Sequence, residues 1–422
     1  MRHLGLLSAV PQQARPGLVL LLATLASVVI VNSALGEDHA DLLKTVVSVG
    51  IGDAAISLTV SQWVKNLLMA AFFFYAGLEL KRELREGELS TPRRAALPVV
   101  AAVGGVMIPA LLYLGMTAGT EYTNGWAVPA ATDIAFALAA LAVMGTRVPP
   151  ALKAFLLAVA VVDDLAAITI VAVFYSGDLS LLWLGAAAAA GLLLLGLNRR
   201  GVTSVWAYVA VGVPLWIALQ NGGINPTVAG VVTAVAIPMR DRAGGSPLHR
   251  AEHAVRPYVL YLVLPVFALA AAGAILPGSL LEAATHPIAG GIVAGLLLGK
   301  PLGIVLFTVV AASLLRVPRP GTSSQLLGVA LLAGIGFTMS LFIAGLAFTD
   351  PSLDAPVKVG VYGGSIVAAV LGLAVLHRSL PRPRRRGLKT SPTSRTTRPQ
   401  NKKAWHATQH SSHRDPPPAA PR

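Results

Sequence analysis

Twelve apolar stretches follow one another along the chain. They lie near 16–35, 62–81, 95–116, 125–144, 151–175, 179–198, 203–219, 223–238, 257–276, 286–311, 325–348 and 356–376. Each is about as long as a helix that crosses a bilayer, for which about 20 apolar residues suffice. A backbone in lipid must satisfy its own polar groups, so such stretches fold as helices. Only 12% of the residues are charged, about half of what a soluble surface carries. The apolar residues are mostly Ala, Leu, Val and Gly, which suits helices packed closely through small side chains. The expected fold class is an all-α membrane protein with about 12 transmembrane helices.

Charge placement tests that count independently. With Met1 on the cytoplasmic side, the inner loops and their edges hold most of the basic residues. These are Arg2 and Arg15, then Lys81, Arg82, Arg85, Arg93 and Arg94, then Arg147 and Lys153. Arg199 and Arg200 follow, then Arg240, Arg242, Arg250 and Arg256, then Arg316 and Arg319. The outer loops hold only Lys44 and, at a span edge, Lys358. That bias predicts both termini in the cytoplasm. The formal net charge of +14 therefore marks topology, and nucleic acid is not an expected partner. Met1 to Arg15 is a short basic lead with no convincing cleavage site after the first apolar stretch, so that stretch reads as an uncleaved helix. The chain has no Cys, which excludes disulfides, thiolate nucleophiles and Cys-ligated metals. No cofactor is expected.

Three regions divide the chain: a cytoplasmic N-terminus (1–15), a membrane domain (16–376) and a basic tail (377–422). The tail is rich in Pro, Arg, Ser and Thr and is expected to be disordered. Its basic run suits contact with anionic membrane lipid. Within the membrane domain, residues 45–60 alternate Val47, Val49 and Ile51, turn at Gly52-Asp53, then alternate Ile56, Leu58 and Val60. This pattern predicts a small extracytoplasmic β-hairpin. Its exposed edge could pair with a second copy, giving a homodimer. Residues 239–256 read as a polar cytoplasmic link.

An ionised group at the bilayer centre costs at least ~2.5–3.5 kcal/mol. Four such groups lie deep in apolar runs: Asp133, Asp163, Asp164 and Lys300. Adjacent helical residues point about 100° apart, so Asp163 and Asp164 face different neighbours. Pro129 and Thr132 precede Asp133, which suits an interrupted helix. Gly299 and Pro301 flank Lys300 and predict a local distortion there. A buried ion pair, such as Asp163 with Lys300, would glue two helices and is the plain structural reading. Such pairs are poor stabilisers, however. Hard cations prefer oxygen ligands, and two carboxylates with a Thr or backbone oxygen can replace the water around Na+ or Li+. The same carboxylates titrate as a coupled pair. A site that holds either a cation or protons is an exchanger.

At these residues the sequence resembles the NhaA family of sodium/proton antiporters. The matching strings are FFFYAGLELKREL (72–84), AATDIAFAL (130–138), VVDDL (161–165), LLLGKPLGI (296–304) and GIGFTMSLFIAGLAF (334–348). The resemblance runs from about Ser8 to about Leu376. It implies inverted repeats and interrupted helices. Asp164 and Asp163 would bind the cation and protons, with Thr132 beside them. Asp133 and Lys300 would compensate the facing ends of the fourth and eleventh helices. Exchange of cytoplasmic Na+ (or Li+) for external H+ would be electrogenic, with two protons per sodium, and switched on by alkaline pH. The cluster implied for pH sensing is Glu79, Arg82, Glu83, Glu252 and His253. The sequence also departs from the family. The family's N-D-x-L-M string reads Lys65-Asn66-Leu67-Leu68-Met69 here, and Asn225, Arg256 and Ala271 replace two His and an Asn. Lys65 has no role in this reading.

Three other readings compete. An intramembrane aspartyl protease would use a G-x-G-D string. Gly50-Ile51-Gly52-Asp53 has that form, but it lies in the expected hairpin, outside the membrane. An organic-anion/sodium symporter would offer helix N-termini and neutral donors rather than paired carboxylates. A channel or sensor would bind cations without obligatory proton exchange.

Overall fold

The computed structural model describes residues 11–51, 54–241, 244–274 and 280–381. It is mostly helical, with one small sheet. α1 (Arg15–Val31) ends in a 106° bend into α2 (Gly36–Lys44). α2 is a polar helix with Glu37 and Asp38 in its first turn and Lys44 in its last, matching the helix dipole. A hairpin of β1 (Val46–Ile51) and β2 (Ala54–Thr59) follows, in the register Val46↔Thr59 to Ile51↔Ala54. The 45–60 expectation is met in its strands, and the Gly52-Asp53 turn lies outside the described residues. Thr59 and Gln62 form a capping box that starts α3 (Val60–Glu86).

Next come α4 (Pro92–Met116), a 3-10 helix (Glu121–Ala130), α5 (Ile134–Val143), α6 (Pro150–Phe174), α7 (Leu181–Arg199), α8 (Val205–Asn221) and α9 (Val228–Ala236). The second half of the described chain holds α10 (Pro247–Ala271), α11 (Leu280–Thr285), α12 (Pro287–Leu315), α13 (Ser323–Ala333), α14 (Phe337–Ala347) and α15 (Asp354–Ser379). α4, α6, α10 and α12 each begin with Pro, whose missing N–H costs nothing at a first helical position.

Every one of the twelve apolar stretches holds helix. Seven of the helices are long and apolar enough to cross a membrane, or ten if each bent pair is one span. The bent pairs are α1 with α2, the 3-10 helix with α5 (43°), and α13 with α14 (48°). The remaining two stretches are α8, with 17 residues, and α9, with nine. At 1.5 Å per residue α9 covers only about half of the hydrocarbon core.

Two sequence boundaries move. The 239–256 link is shorter than expected, because α10 begins at Pro247, where the Ser246 hydroxyl accepts from the His249 N–H at 3.2 Å. The last helix also runs past 376 to Ser379. There Arg147 donates to the carbonyls of His377 (2.8 Å), Leu380 (3.1 Å) and Pro381 (3.1 Å), closing the helix end. The tail from 382 onward lies outside the described residues.

Glycines bring backbones together where the deep charges sit. A Cβ on Gly303 of α12 would stand 2.0 Å from the Gly104 carbonyl oxygen of α4, and one on Gly299 would stand 2.6 Å from the Pro109 Cα. Lys300 is carried between those two contacts. Large apolar side chains point outward, among them Leu181 (86% exposed) and Trp206 (81%). That is the outside of a protein whose solvent is lipid.

Candidate functional site

Two interrupted helices cross at the centre. The 3-10 helix stops at Ala130 and α5 starts at Ile134, leaving 131–133 extended or irregular. α13 stops at Ala333 and α14 starts at Phe337. The two breaks bind each other directly, through the Asp133 N–H to the Ile335 carbonyl at 2.6 Å. The Ser340 hydroxyl donates to the Val128 carbonyl at 2.7 Å. A Cβ at Gly336 would stand 2.1 Å from Ser340 Oγ, so an added side chain there would displace that hydroxyl.

Helix ends left open in this way need charge partners. Asp133 serves both N-termini. Its Oδ1 accepts from the Phe136 N–H of α5 at 3.1 Å, and its Oδ2 accepts from the Thr338 N–H of α14 at 3.1 Å and from the Thr338 hydroxyl. Lys300 serves a C-terminal end, since its Nζ donates to the Ala130 carbonyl. The π-helical turn Gly295–Gly299 immediately precedes Lys300, the distortion expected from its flanking Gly and Pro. Such turns concentrate at functional positions.

Asp163 and Asp164, both on α6, divide as their spacing predicts. Asp163 Oδ2 lies 2.9 Å from Lys300 Nζ and accepts from the Thr132 hydroxyl at 2.7 Å. That hydroxyl also lies 2.8 Å from the Ala333 carbonyl, and its one proton serves one acceptor at a time. Asp163 Oδ1 is buried and has no hydrogen-bond partner among the described residues. Asp164 lines a cavity of about 80 Å³ with Asp133, Glu79, Phe72, Tyr75 and Thr338, room for a few waters. Its carboxylate has no protein hydrogen bond among the described residues. Gln13, Pro16 and Arg256 also line the cavity, and of these Gln13 and Arg256 are exposed. Lys153 holds Gln13 in place at 2.6 Å.

All five deep-site residues therefore converge: Asp163, Asp164, Thr132, Asp133 and Lys300. An ion-pair cluster adjoins them. Arg82 Nη1 lies 2.8 Å from Glu83, its Nε 3.1 Å from Glu252, and its Nη2 3.8 Å from Glu79. Glu79 belongs to both groups, as a member of the cluster and as a wall of the cavity. His253 stands exposed, apart from this cluster. One turn earlier, His249 Nε2 lies 3.0 Å from Glu86, close enough for an ion pair although not aligned as a hydrogen bond.

Sequence reasoning missed Thr338 and the cavity face of Arg256. The threonine in GIGFTMS, like the one in AATDI, sits at a helix break, and that likeness was the available signal. Two departures from the family string have structural partners. Asn66 Nδ2 donates to Gln220 at 2.9 Å, and Asn225 Oδ1 accepts from the Thr227 N–H (3.1 Å) and hydroxyl (2.6 Å).

The family model described as Na+/H+ antiporter 1 matches residues 8–376. Proteins named Na(+)/H(+) antiporter NhaA come from Escherichia coli O1:K1 / APEC, E. coli strain UTI89 / UPEC and Shigella boydii serotype 4 strain Sb227. Each is 47% identical over 370 residues, covering 86% of this chain and 95% of the relative. With that identity, that coverage and its row of apolar helices, the chain is a multi-pass membrane protein that belongs to the Na+/H+ antiporter 1 family, a family of transporters and not of enzymes.

Proposed function

We propose that this protein exchanges cytoplasmic Na+ (or Li+) for external H+ across the bacterial inner membrane. One observation carries the reading. Among the described residues, the Asp164 carboxylate and Asp163 Oδ1 have no hydrogen-bond partner; both are buried beside two broken helices, and Asp164 lines the cavity. Oxygen donors left open in a buried site suit a hard cation that sheds its water. The acids on the cavity wall, Glu79, Asp133 and Asp164, disfavour an organic anion.

Two protons per cation follow from two proton-holding positions, the Asp164 carboxyl and the Asp163–Lys300 pair. Without a cation, Asp164 is protonated and Asp163 faces ammonium Lys300, so the site is neutral. With a cation on both carboxylates, Asp164 and Lys300 have each released a proton. The loaded site then carries one negative charge, and exchange moves net charge. Thr132 can turn its hydroxyl proton to Ala333 and present a lone pair to the cation. Asp133 stays with the helix N-termini and takes no part in coordination.

In the same reading the chain crosses the membrane twelve times with both termini cytoplasmic, and α8 and α9 are short spans. Inverted repeats generate the two breaks. The Arg82 cluster, bordering the cavity through Glu79, senses pH. Val46 and Val49 of the hairpin, 60% and 59% exposed, meet a second copy in a homodimer.

The test is proton flux in everted vesicles. The vesicles are pre-acidified, and Na+ or Li+ is added across mildly acidic to alkaline pH. Cation-driven alkalinisation is expected in the wild type. With Asp164→Asn it falls to the level of vesicles lacking the protein, while the variant remains inserted. Full exchange by that variant would overturn the mechanism.

A further inference from the structure

Arg256 lines the cavity from α10, and Leu260 and Leu264 continue the same face of that helix. Glu79, Asp133 and Asp164 are the acids of the cavity wall, and Arg256 is its one cation among the described residues. The other cations nearby are engaged. Arg82 is held by Glu79, Glu83 and Glu252, and Lys300 by Asp163 and the Ala130 carbonyl. Arg256 makes no hydrogen bond or ion pair among the described residues. Its charge nonetheless reaches Glu79 and Tyr75, two residues of the wall. It is exposed, and an exposed guanidinium is solvated by water rather than by lipid, where its cost is high. A fixed charge therefore stands at a wet part of the cavity, on a wall shared with three acids that it does not pair with.

The donors of the site do not by themselves reject divalent cations. Ca2+ and Mg2+ are hard ions that take carboxylate oxygens, and the acids draw them twice as strongly as they draw a monovalent ion at the same position. A positive charge on the wall takes back part of that preference. Its repulsion is proportional to the charge of the ion. Whatever factor it removes from Na+ affinity, it removes squared from the affinity of a divalent ion at the same position.

We propose that Arg256 is a specificity-determining residue, a cation on the cavity wall that discriminates against divalent cations in favour of Na+ and Li+. This rests on the exchange reading above and concerns the same cavity. For a unit charge about 10 Å from the ion, at an effective dielectric of about 40 to 80, the factor is about two- to fourfold for Na+ and about four- to sixteenfold for a divalent ion.

The experiment compares wild type, Arg256→Gln and Arg256→Lys at low ionic strength. Calorimetric titration of the purified protein in detergent gives the Kd for Ca2+. Flux in everted vesicles gives the KM for Na+ and the inhibition constant of Ca2+. Glutamine is expected to tighten Ca2+ about four- to sixteenfold in both assays and to lower the KM for Na+ only about two- to fourfold. Lysine, which keeps the charge, is expected to match wild type. Choline chloride is expected to shrink the difference, because exposed charges are screened by salt. Adding Asp164→Asn to the glutamine variant is expected to return the Kd for Ca2+ to its wild-type value or weaker, which assigns the gained affinity to the cavity. Unchanged Ca2+ affinity with glutamine, equal factors for Na+ and Ca2+, or a lysine variant that behaves as glutamine would overturn the inference. Absence of Na+-driven flux in wild type would overturn the exchange reading, and the Ca2+ titration would still decide whether Arg256 holds divalent ions back.

Discussion

Asp133 and Asp164 are both carboxylates in apolar runs, yet they do different work. The difference lies in their partners. Asp133 accepts three hydrogen bonds from two helix starts, while Asp164 lines the cavity and accepts none among the described residues. Asp133→Ala therefore leaves two N–H groups and a hydroxyl buried and unpaired. A loss of about 1–3 kcal/mol is expected, read as a lower thermal midpoint in detergent. Asp133→Asn keeps one acceptor and should lose less. Equal midpoints for wild type and the alanine variant would show that another group serves those N-termini. Asp164→Asn should show the opposite pattern, with exchange lost and the midpoint held.

Helix contacts decide where these carboxylates meet their partners. α4 and α12 touch backbone to backbone at Gly104 and Gly303, and Lys300 lies one turn from that contact. Gly303→Val should push the two helices apart at a cost of about 3 kcal/mol or more and reduce exchange by moving Lys300 off Asp163. Gly191→Ala, where an added Cβ meets nothing, is the matched control and should behave as wild type. α3 and α10 are tied by charge instead. Arg82 is the cation among Glu79, Glu83 and Glu252. Arg82→Gln leaves three carboxylates facing one another. Repulsion acts only while they are ionised, so the stability deficit should be largest at alkaline pH and fade as the pH falls and the acids take up protons. Melting curves of the variant across pH measure this, and a deficit independent of pH would assign Arg82 to packing alone.

Across the whole molecule, a compact unit ends at Pro381, and Arg147 holds its last helix. Every group assigned to the site lies before that point. Removal of residues after Arg386 should leave the KM and maximal exchange rate in everted vesicles within about twofold of the full chain, since no site contact is lost. A dead truncation that still inserts would give the tail a part in transport. Many large apolar side chains of the unit face outward, and three acids, Glu79, Asp133 and Asp164, line its cavity. Such an exterior suits a body solvated by lipid.

Much of this was legible in one dimension. Long apolar runs must become helices because lipid offers the backbone no partners, and alternation around a Gly-Asp pair must become a hairpin because strand side chains point to opposite faces. Asp133, Asp163, Asp164 and Lys300 stood out because a deep charge is costly wherever the helix lies. Other features had no such signature. The polar α2 broke no rule that would have announced it. Spacing alone separated Asp163 from Asp164, but which of them met Lys300 and which met the cavity depended on the helix opposite. His253 and His249 sit one turn apart on a single helix, and only the packing of α10 against α3 brought His249 to an acid. Lys65 was visible as a charge in an apolar edge, but not as one whose ammonium lies over Gly345 of α14. The sequence by itself determined which segments enter the membrane and which charges they carry, because burial of backbone and charge is decided residue by residue. The tertiary structure alone decided which charges are paired and which stand open, because that depends on how closely two backbones approach, and at Gly104 and Gly303 that distance is set by two missing side chains on segments some 200 residues apart in the chain.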